Sequence, residues 1–228
     1  KNIAPIDKWH FNKMEETINE PVVRGKIGID IGSGCGYDTY IMARDNPGVH
    51  IVSLDISDGI FRAKETSREL ANACFIKGSV LCLPIKDNLF DFAYSFGVLH
   101  HVPGPEHSLK EIARILKADA PIFLYLYENH CENIIKYVVL KIIRRLRKIT
   151  VRMPPRLLYL FCILSSPFVF MIFSLPAKIL MKFDITKNIA GAIPFNFGKN
   201  SFSLSGDLYD RFGAPIELRF SSQEVYGM

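Results

Sequence analysis

Three closely spaced glycines and an aspartate form the part of this sequence whose residue types could bind a ligand. Residues 26–39, KIGIDIGSGCGYDT, place Gly32, Gly34 and Gly36 directly after an apolar run that contains Asp30. Glycines let the backbone approach a ligand closely and adopt angles that a Cβ atom would forbid. A carboxylate just before such a loop would repel a pyrophosphate, so the ligand is expected to carry a positive charge.

The spacing of these glycines departs from that of a dinucleotide-binding loop. Such a loop follows the pattern G-x-G-x-x-G, and its third glycine packs the helix against the strand. Here the third position is Tyr37, and Gly36 comes one residue early. An NAD(P)-dependent oxidoreductase is therefore disfavoured among the functions that such a fold could carry.

The glycine loop lies within an alternation of strands and helices. Strands are predicted at 26–31, 50–55, 74–77, 91–96 and 120–127, and helices at 38–46, 59–73 and 106–117. This alternation predicts an α/β, Rossmann-like, doubly wound and mainly parallel sheet with helices on both faces. Ligands bind such sheets beyond the carboxyl ends of the strands, where the glycine loop lies. The strand at 120–127 is apolar throughout, so we expect both its faces to be covered.

The ordered motifs of residues 26–127 resemble class I S-adenosylmethionine-dependent methyltransferases of the small-molecule, type 11-like branch. Residues 30–36, DIGSGCG, match the D-x-G-x-G-x-G loop of that family, and Asp55 resembles the acid that binds both ribose hydroxyls. Residues 78–84, GSVLCLP, resemble the segment that lines the adenine, although Ser79 stands where the family usually has Asp. The resemblance implies S-adenosyl-L-methionine as the cofactor.

The resemblance also implies which residues form the site. The cofactor would be bound by Asp30, Gly32, Ser33, Gly34, Cys35, Gly36, Asp55, Ile56, Ser79, Val80, Ser95 and Phe96. Residues 90–102 resemble the fourth strand and the loop after it, which carries His100 and His101. Because imidazole titrates near neutral pH, either histidine is a candidate catalytic base for an acceptor that must lose a proton. The alternative is that the pair only contacts a helix end or the edge of the cofactor.

Length, composition and cysteine spacing limit the domain organisation and the kinds of site that the chain can form. The chain has 228 residues, 49% of them hydrophobic, which suffices for one α/β domain with an insertion. Closely spaced cysteine or histidine pairs are absent apart from His100 and His101, and adjacent residues rarely converge on one metal, so no metal site is predicted. We expect no leader peptide and a cytoplasmic location, and peripheral or anchored membrane association stays open.

Residues 129–200 are predicted to form a helical insertion after the fifth strand. Eight cations and no acid lie between residues 136 and 156, although the whole chain has a net charge of only +5. Apolar residues recur there at helical spacing, which predicts a basic amphipathic helix on an anionic membrane surface and no nucleic-acid partner. Residues 157–177 then run without a charge over a length that could span a bilayer.

Three interpretations of the insertion remain open: a lid over the active site, an interfacial pair of helices, and a membrane span. Pro167 with Ser165 and Ser166 favours two shorter helices over one long one. Each interpretation places the insertion beside the acceptor, which we expect to be small and apolar or amphipathic, such as a lipid or a prenylated ring. The expected regions are a cofactor-binding methyltransferase core at 1–128, the insertion at 129–200, and a truncated return to the core at 201–228.

Two functions follow from these expectations. The first is an S-adenosylmethionine-dependent methyltransferase that acts on such an acceptor. The alternative is a catalytically inactive, methyltransferase-like binding or scaffold protein at a membrane, which Ser79 and the short C-terminal part favour.

Overall fold

The chain folds into two compact units in the computed structural model, which describes residues 26–195 and 201–228. The first unit is Lys1–Tyr127 together with Met228, and the second is Glu128–Gly227. Residues 1–25, which we assigned to the methyltransferase core, lie outside the described residues.

The first unit is built on a five-stranded parallel sheet. Its strands are β1 (Ile27–Ile31), β2 (His50–Asp55), β3 (Ala73–Lys77), β4 (Phe92–Phe96) and β5 (Ile122–Tyr125). Their order across the sheet is β3-β2-β1-β4-β5, so the chain moves outward from β1 and then restarts on its other side with β4. This reversal creates the switch point at which such sheets bind ligands. The Rossmann-like α/β fold is confirmed.

Helices cover both faces of this sheet. They are α1 (Tyr37–Asp45), α2 (Gly59–Thr66) and α3 (Pro105–Ile115). Because successive strand residues face opposite sides, β1 directs Ile29 and Ile31 into a buried cluster with Ile112 of α3. The opposite face forms a second cluster, in which Phe92 of β4 meets Met42 of α1.

Helix α2 is shorter than its sequence indicated. It ends at Thr66, so the helix predicted at 59–73 is wrong beyond that residue. The reason is Asn72, whose side-chain amide donates hydrogen bonds to the carbonyl oxygens of Ala43 and Val49, each at 2.8 Å. These bonds hold the chain at the start of β3, where a helix could not continue.

Strand β5 is also shorter and less covered than expected. It spans Ile122–Tyr125 at the edge of the sheet, and the side chains of Ile122 and Tyr125 are exposed. Phe123 and Leu124, which point to opposite faces, pack into the two apolar clusters, so both faces are covered in the middle of the strand and exposed at its two ends.

The second unit is helical. Its helices are α4 (Ile134–Thr150), α5 (Pro155–Val169), α6 (Leu175–Leu180), α7 (Lys187–Ala192), α8 (Ser201–Gly213) and α9 (Ser222–Tyr226). A π-helical turn, Phe170–Ser174, joins α5 to α6, so Pro155–Leu180 is one continuous helix. By length and composition, it is the single helix among residues 26–195 and 201–228 that could cross a membrane.

Pro167 does not divide this helix, and the prediction of two shorter helices is wrong. Proline lacks the N–H that would bond to the carbonyl of Ile163 one turn earlier. The hydroxyl of Ser166 donates to that carbonyl oxygen at 3.0 Å instead. The wide turn after Pro167 absorbs the remaining mismatch.

The residues expected to return to the core belong to the second unit instead, apart from Met228. Leu204 and Leu208 of α8 are buried in the same apolar cluster as Leu158 and Cys162 of α5. This burial explains the correction, because the apolar face of α8 is already covered by the insertion.

Arg147 does not join the other cations of α4 at the surface. Its guanidinium pairs with Glu217 at 2.7 Å and donates to the carbonyl oxygens of Arg211 and Ala214 near the end of α8. Arg219 pairs with the other oxygen of Glu217 at 2.7 Å. All three charged side chains are 10% exposed or less, so they form a buried, paired cluster.

We expect Arg147→Ala to lower the free energy of unfolding of the second unit by about 3 kcal/mol, because breaking a buried pair leaves charge and carbonyl groups uncompensated. Arg144→Ala removes an exposed cation from the same helix and should cost less than about 0.5 kcal/mol. Urea unfolding followed by circular dichroism compares the two variants. Equal effects would contradict the structural role of Arg147.

Candidate cofactor site

The glycine loop lies between β1 and α1, and close packing requires glycine at two of its positions. Gly32, Gly34 and Gly36 have φ angles of +77°, +56° and +74°. A Cβ atom on Gly36 would lie 2.4 Å from the Cβ atom of Ala63 in α2, and one on Gly32 would lie 2.3 Å from the Val98 side chain. A Cβ atom on Gly34 would meet no atom within 4 Å, so the surface there is open.

Asp55, the last residue of β2, is hydrogen-bonded to this loop. One carboxylate oxygen accepts the N–H of Gly34 at 2.7 Å, and the other accepts the N–H of Ser57 at 2.7 Å. A carboxylate offers about four acceptor positions, so both oxygens can accept further hydrogen bonds. The next side chain, Ile56, is 69% exposed. This arrangement can accept hydrogen bonds from a pair of hydroxyls beside an apolar surface that suits a flat ring.

A rung of polar residues lies beneath the loop. Asp30, Ser53 and Tyr94 are neighbours in register on β1, β2 and β4. Thr39 of α1 donates its hydroxyl hydrogen to Asp30 at 2.5 Å, and its hydroxyl also lies 3.1 Å from that of Ser53. Ser53 in turn donates to the hydroxyl of Ser33 at 2.6 Å. These contacts tie the loop, α1 and the sheet together.

The electrostatics of the rung are set by burial. Burial, aided by the negative charges of Asp38 and Asp55, raises the pKa of Asp30 to about 8, although the hydrogen bond from Thr39 opposes the shift. Burial also raises the pKa of the Tyr94 phenol well above its usual range, and the charge of Asp30 adds to this effect. Asp30 is therefore largely protonated at neutral pH, and a nearby cation would favour its charged form.

The predicted residues beyond the loop differ in where their side chains point. Val80 is buried in the apolar cluster on the α3 side, and Ser95 is buried and donates to the carbonyl oxygen of Ile31 at 2.9 Å. The ring of Phe96 packs against that of Phe123, with 5.0 Å between the centroids. The Ser79 hydroxyl accepts the N–H of Leu81 at 3.2 Å. Their backbones lie at the carboxyl ends of β3 and β4.

Cys35, the remaining residue of the loop, is half-buried between Gly34 and Gly36. Its thiol is free. Among residues 26–195 and 201–228, no three histidine, cysteine or acidic side chains come together as metal ligands.

The two candidate catalytic histidines follow β4 in a 3₁₀ turn, Leu99–His101. Their ring centroids lie 4.2 Å apart, and His100 stacks on Tyr127 with 3.7 Å between centroids and 22° between planes. His100 is fully buried, whereas His101 is half-buried. Tyr127 was missed in the sequence, because no spacing links it to the histidine pair.

Polar side chains of helix α3 bond to the backbone of the loop that follows β3. The sequence-based prediction did not include these contacts. The Nε2 atom of His107 lies 2.9 Å from the carbonyl oxygen of Leu81, and Glu111 accepts the N–H of Leu83 at 3.0 Å. Arg114 donates to the carbonyl oxygen of Leu83 at 3.1 Å and pairs with Glu111 at 2.9 Å. The available signal was the recurrence of these polar residues along one side of the helix.

Known proteins match part of this chain. Residues 29–124 match a family model described as "Methyltransferase domain". The tRNA (carboxymethyluridine(34)-5-O)-methyltransferase of Saccharomyces cerevisiae is 36% identical over 92 residues, which cover 40% of this chain and 31% of that protein. The demethylmenaquinone methyltransferase of Listeria monocytogenes is 33% identical over 116 residues, which cover 48% of each chain.

A solved structure shares the fold. The YcgJ protein of Bacillus subtilis superposes with a TM-score of 0.51 at 23% sequence identity, over 62% of this chain and 59% of that chain. At this identity the likeness shows the fold alone.

The matched segment is a methyltransferase domain. This match, together with the parallel sheet, confirms the resemblance of residues 26–127 to class I S-adenosylmethionine-dependent methyltransferases that was seen in the sequence. The chain spans between about a third and a half of the length of the curated relatives described above. The roles of the individual site residues stay predictions.

We expect stability to fall as the pH rises from about 4 to about 8 because of Asp30. Its folded-state pKa lies above the ordinary value of 3.8, so the stability linked to its proton is fully present below about pH 4 and is lost as the pH rises through about 8. The slope from this group approaches about 1.4 kcal/mol per pH unit.

Asp30→Asn should remove that slope, because the amide keeps the shape and cannot ionise. Urea unfolding across this pH range compares wild type, Asp30→Asn and the control Asp119→Asn, which alters an exposed turn residue. An unchanged slope in Asp30→Asn would show that Asp30 is ionised in the folded chain.

Proposed function

We propose that this chain transfers a methyl group from S-adenosyl-L-methionine to a small apolar or amphipathic acceptor. The observation that carries the proposal is Asp55, whose carboxylate is held by two backbone N–H groups beside the open surface of Gly34. The methyltransferase domain at residues 29–124 supports the reaction class.

The residues fit this cofactor. Asp55 would accept hydrogen bonds from the two ribose hydroxyls, and the exposed side chain of Ile56 would pack against the adenine. Asp30 lies beneath the loop, where it would favour the positively charged methionine end and lose its proton in response. When bound, the cofactor supplies an electrophilic methyl group on a sulfonium.

Ser79 would offer the adenine amino group a neutral acceptor. A hydroxyl can accept a hydrogen bond but lacks the charge of the carboxylate usual in the family. We therefore propose binding that is weaker than a chain with an acid at this position would show.

The protein would lower the barrier mainly by alignment of the reacting groups and exclusion of water. Of the two histidines, we propose His101 as the base, because its ring is half-buried and His100 is fully enclosed. His100, which stacks on Tyr127 and meets the ring of His101 at a tilt of 58°, would position that ring.

The acceptor class is proposed from the second unit. One relative is named for demethylmenaquinone and the other for a tRNA uridine, so the relatives alone do not select an acceptor. The long apolar helix Pro155–Leu180 favours an apolar or amphipathic small molecule over a nucleic acid. The cytoplasmic location stays a prediction.

We expect the purified chain to bind S-adenosylmethionine and S-adenosylhomocysteine in calorimetric titrations and not to bind NADH. Asp55→Asn should weaken binding about 10- to 100-fold, because hydrogen bonds to a charged acceptor are lost. Asp119→Asn, the same change in an exposed turn, should leave the affinity unchanged.

The outcomes of this titration separate the candidate functions. A well-folded chain that binds neither compound would favour the inactive scaffold. Binding that Asp55→Asn leaves intact would remove Asp55 from the site. Preferential binding of NADH would favour an oxidoreductase.

We expect His101→Gln to lower kcat for methyl transfer about 100- to 10,000-fold with little change in KM. Tyr127→Leu should lower kcat less, because it acts through the position of His100. Release of S-adenosylhomocysteine, measured with quinone-like rings and lipids as acceptors, reports both effects. Full activity in His101→Gln would exclude the proposed base.

A further inference from the structure

Helix α4 presents more apolar surface than its packing uses. Its buried face consists of Leu140, Ile143, Arg147 and Thr150. A second, outward stripe consists of apolar side chains that are between 40% and 63% exposed: Ile135, Val138, Ile142, Leu146 and Ile149. At 100° per residue, the centre of this stripe lies roughly 120° from the centre of the buried face.

Cations border the outward stripe. The exposed members are Lys141, Arg144, Arg145, Lys148 and Arg152, and no acidic residue lies in α4. Apolar side chains beside a row of positive charge match a bilayer surface, because acyl chains receive the former and anionic headgroups attract the latter. A surface that binds nucleic acid would instead place its cations among polar side chains or among aromatic side chains that stack on bases.

Helix Pro155–Leu180 adds a second exposed apolar stripe to the same unit. Its outward side chains are Leu157, Leu160, Leu164, Phe168 and Met171. Only 22% of its most apolar stretch is buried, which distinguishes it from the core helix of a globular unit.

The packing of α5 opposes a span across the bilayer. Its inward face, at Leu158 and Cys162, shares a buried cluster with α8. α8 carries Asp207, Asp210 and Arg211, which a span would draw toward the hydrocarbon core, where charges are strongly unfavourable. The helix therefore suits the interface, where charged groups can reach water.

We infer that Glu128–Gly227 is a unit that docks on the surface of an anionic lipid bilayer. The outward stripe of α4 lies at the boundary between headgroups and acyl chains, and its cations contact the headgroups. This inference goes beyond methyl transfer and does not depend on it, since the cofactor titration tests the first unit separately.

The test is sedimentation of the whole chain with phosphatidylcholine vesicles, with or without about one third phosphatidylglycerol. We expect binding only to the anionic vesicles, and weaker binding as the salt concentration rises. Lys141→Glu/Lys148→Glu should lower the partition coefficient about 25-fold or more. The matched control, Lys64→Glu/Lys110→Glu, makes the same charge change on exposed residues of α2 and α3 and should lower it much less.

A second pair of variants tests the apolar stripe. Ile135→Ser/Ile142→Ser should lower the partition coefficient about tenfold or more, because buried methylene groups drive insertion. Phe61→Ser alters an equally exposed apolar residue of the first unit and should have little effect. Far-UV circular dichroism verifies that each variant remains folded.

Several results would overturn the inference. These are failure of the wild type to sediment with anionic vesicles, and equal losses in the two lysine pairs. A dimer that Ile135→Ser/Ile142→Ser dissociates, in place of vesicle binding, would assign the stripe to a second copy of the chain. Salt-sensitive binding to tRNA through Lys141 and Lys148, without vesicle binding, would assign the helix to RNA. Resistance to extraction by alkaline carbonate would replace surface docking with a span.

Discussion

The close approach of the glycine loop to β2 and α2 is the constraint on which the candidate site depends. Gly36 lies against Ala63, and a Cβ atom on Gly59 would come within 2.8 Å of the carbonyl oxygen of Gly34. At this separation the N–H of Gly34 donates to the carboxylate of Asp55 at 2.7 Å. The loop therefore holds an acid in a fixed orientation at the carboxyl end of β2, next to the switch point of the sheet, and its one open glycine leaves room beside that acid.

Asp30, in the polar rung under the loop, is costly to bury when it is ionised, and for the same reason it can favour a cationic ligand. Ionised Asp30 would be costly to bury, and the protein avoids this cost by holding the proton. A cationic ligand reverses the balance, because its charge compensates for the lost solvation. Thr39 donates to the carboxyl oxygen whichever form is present, so the geometry of the loop need not change when the proton leaves.

Residue patterns predicted the features that depend on neighbouring residues in the sequence. Features that depend on contacts between distant residues were not predicted. The bounds of β2 were predicted to the residue, and the glycine loop lies where the strand-helix alternation placed it. The end of α2 depends on Asn72, which bonds to carbonyl oxygens more than 20 residues away. Tyr127 reaches His100 only because β4 and β5 are neighbours. Pairings of this kind have no signature in residue spacing, since the fold must exist before they can form.

The apolar pattern of the insertion illustrates the same limit on a larger scale. Apolar residues recur at helical spacing along α4, yet the structure buries Ile143 and exposes its neighbour Ile142. Periodicity reports how much apolar surface a helix has, and only the packing partners determine how much of it stays in contact with solvent. A lid, an interfacial helix and a span share the same composition, which is why the sequence left all three open. The charged helix α8 packed along α5 argues against the span alone, because a span must take its packing partners into the hydrocarbon with it.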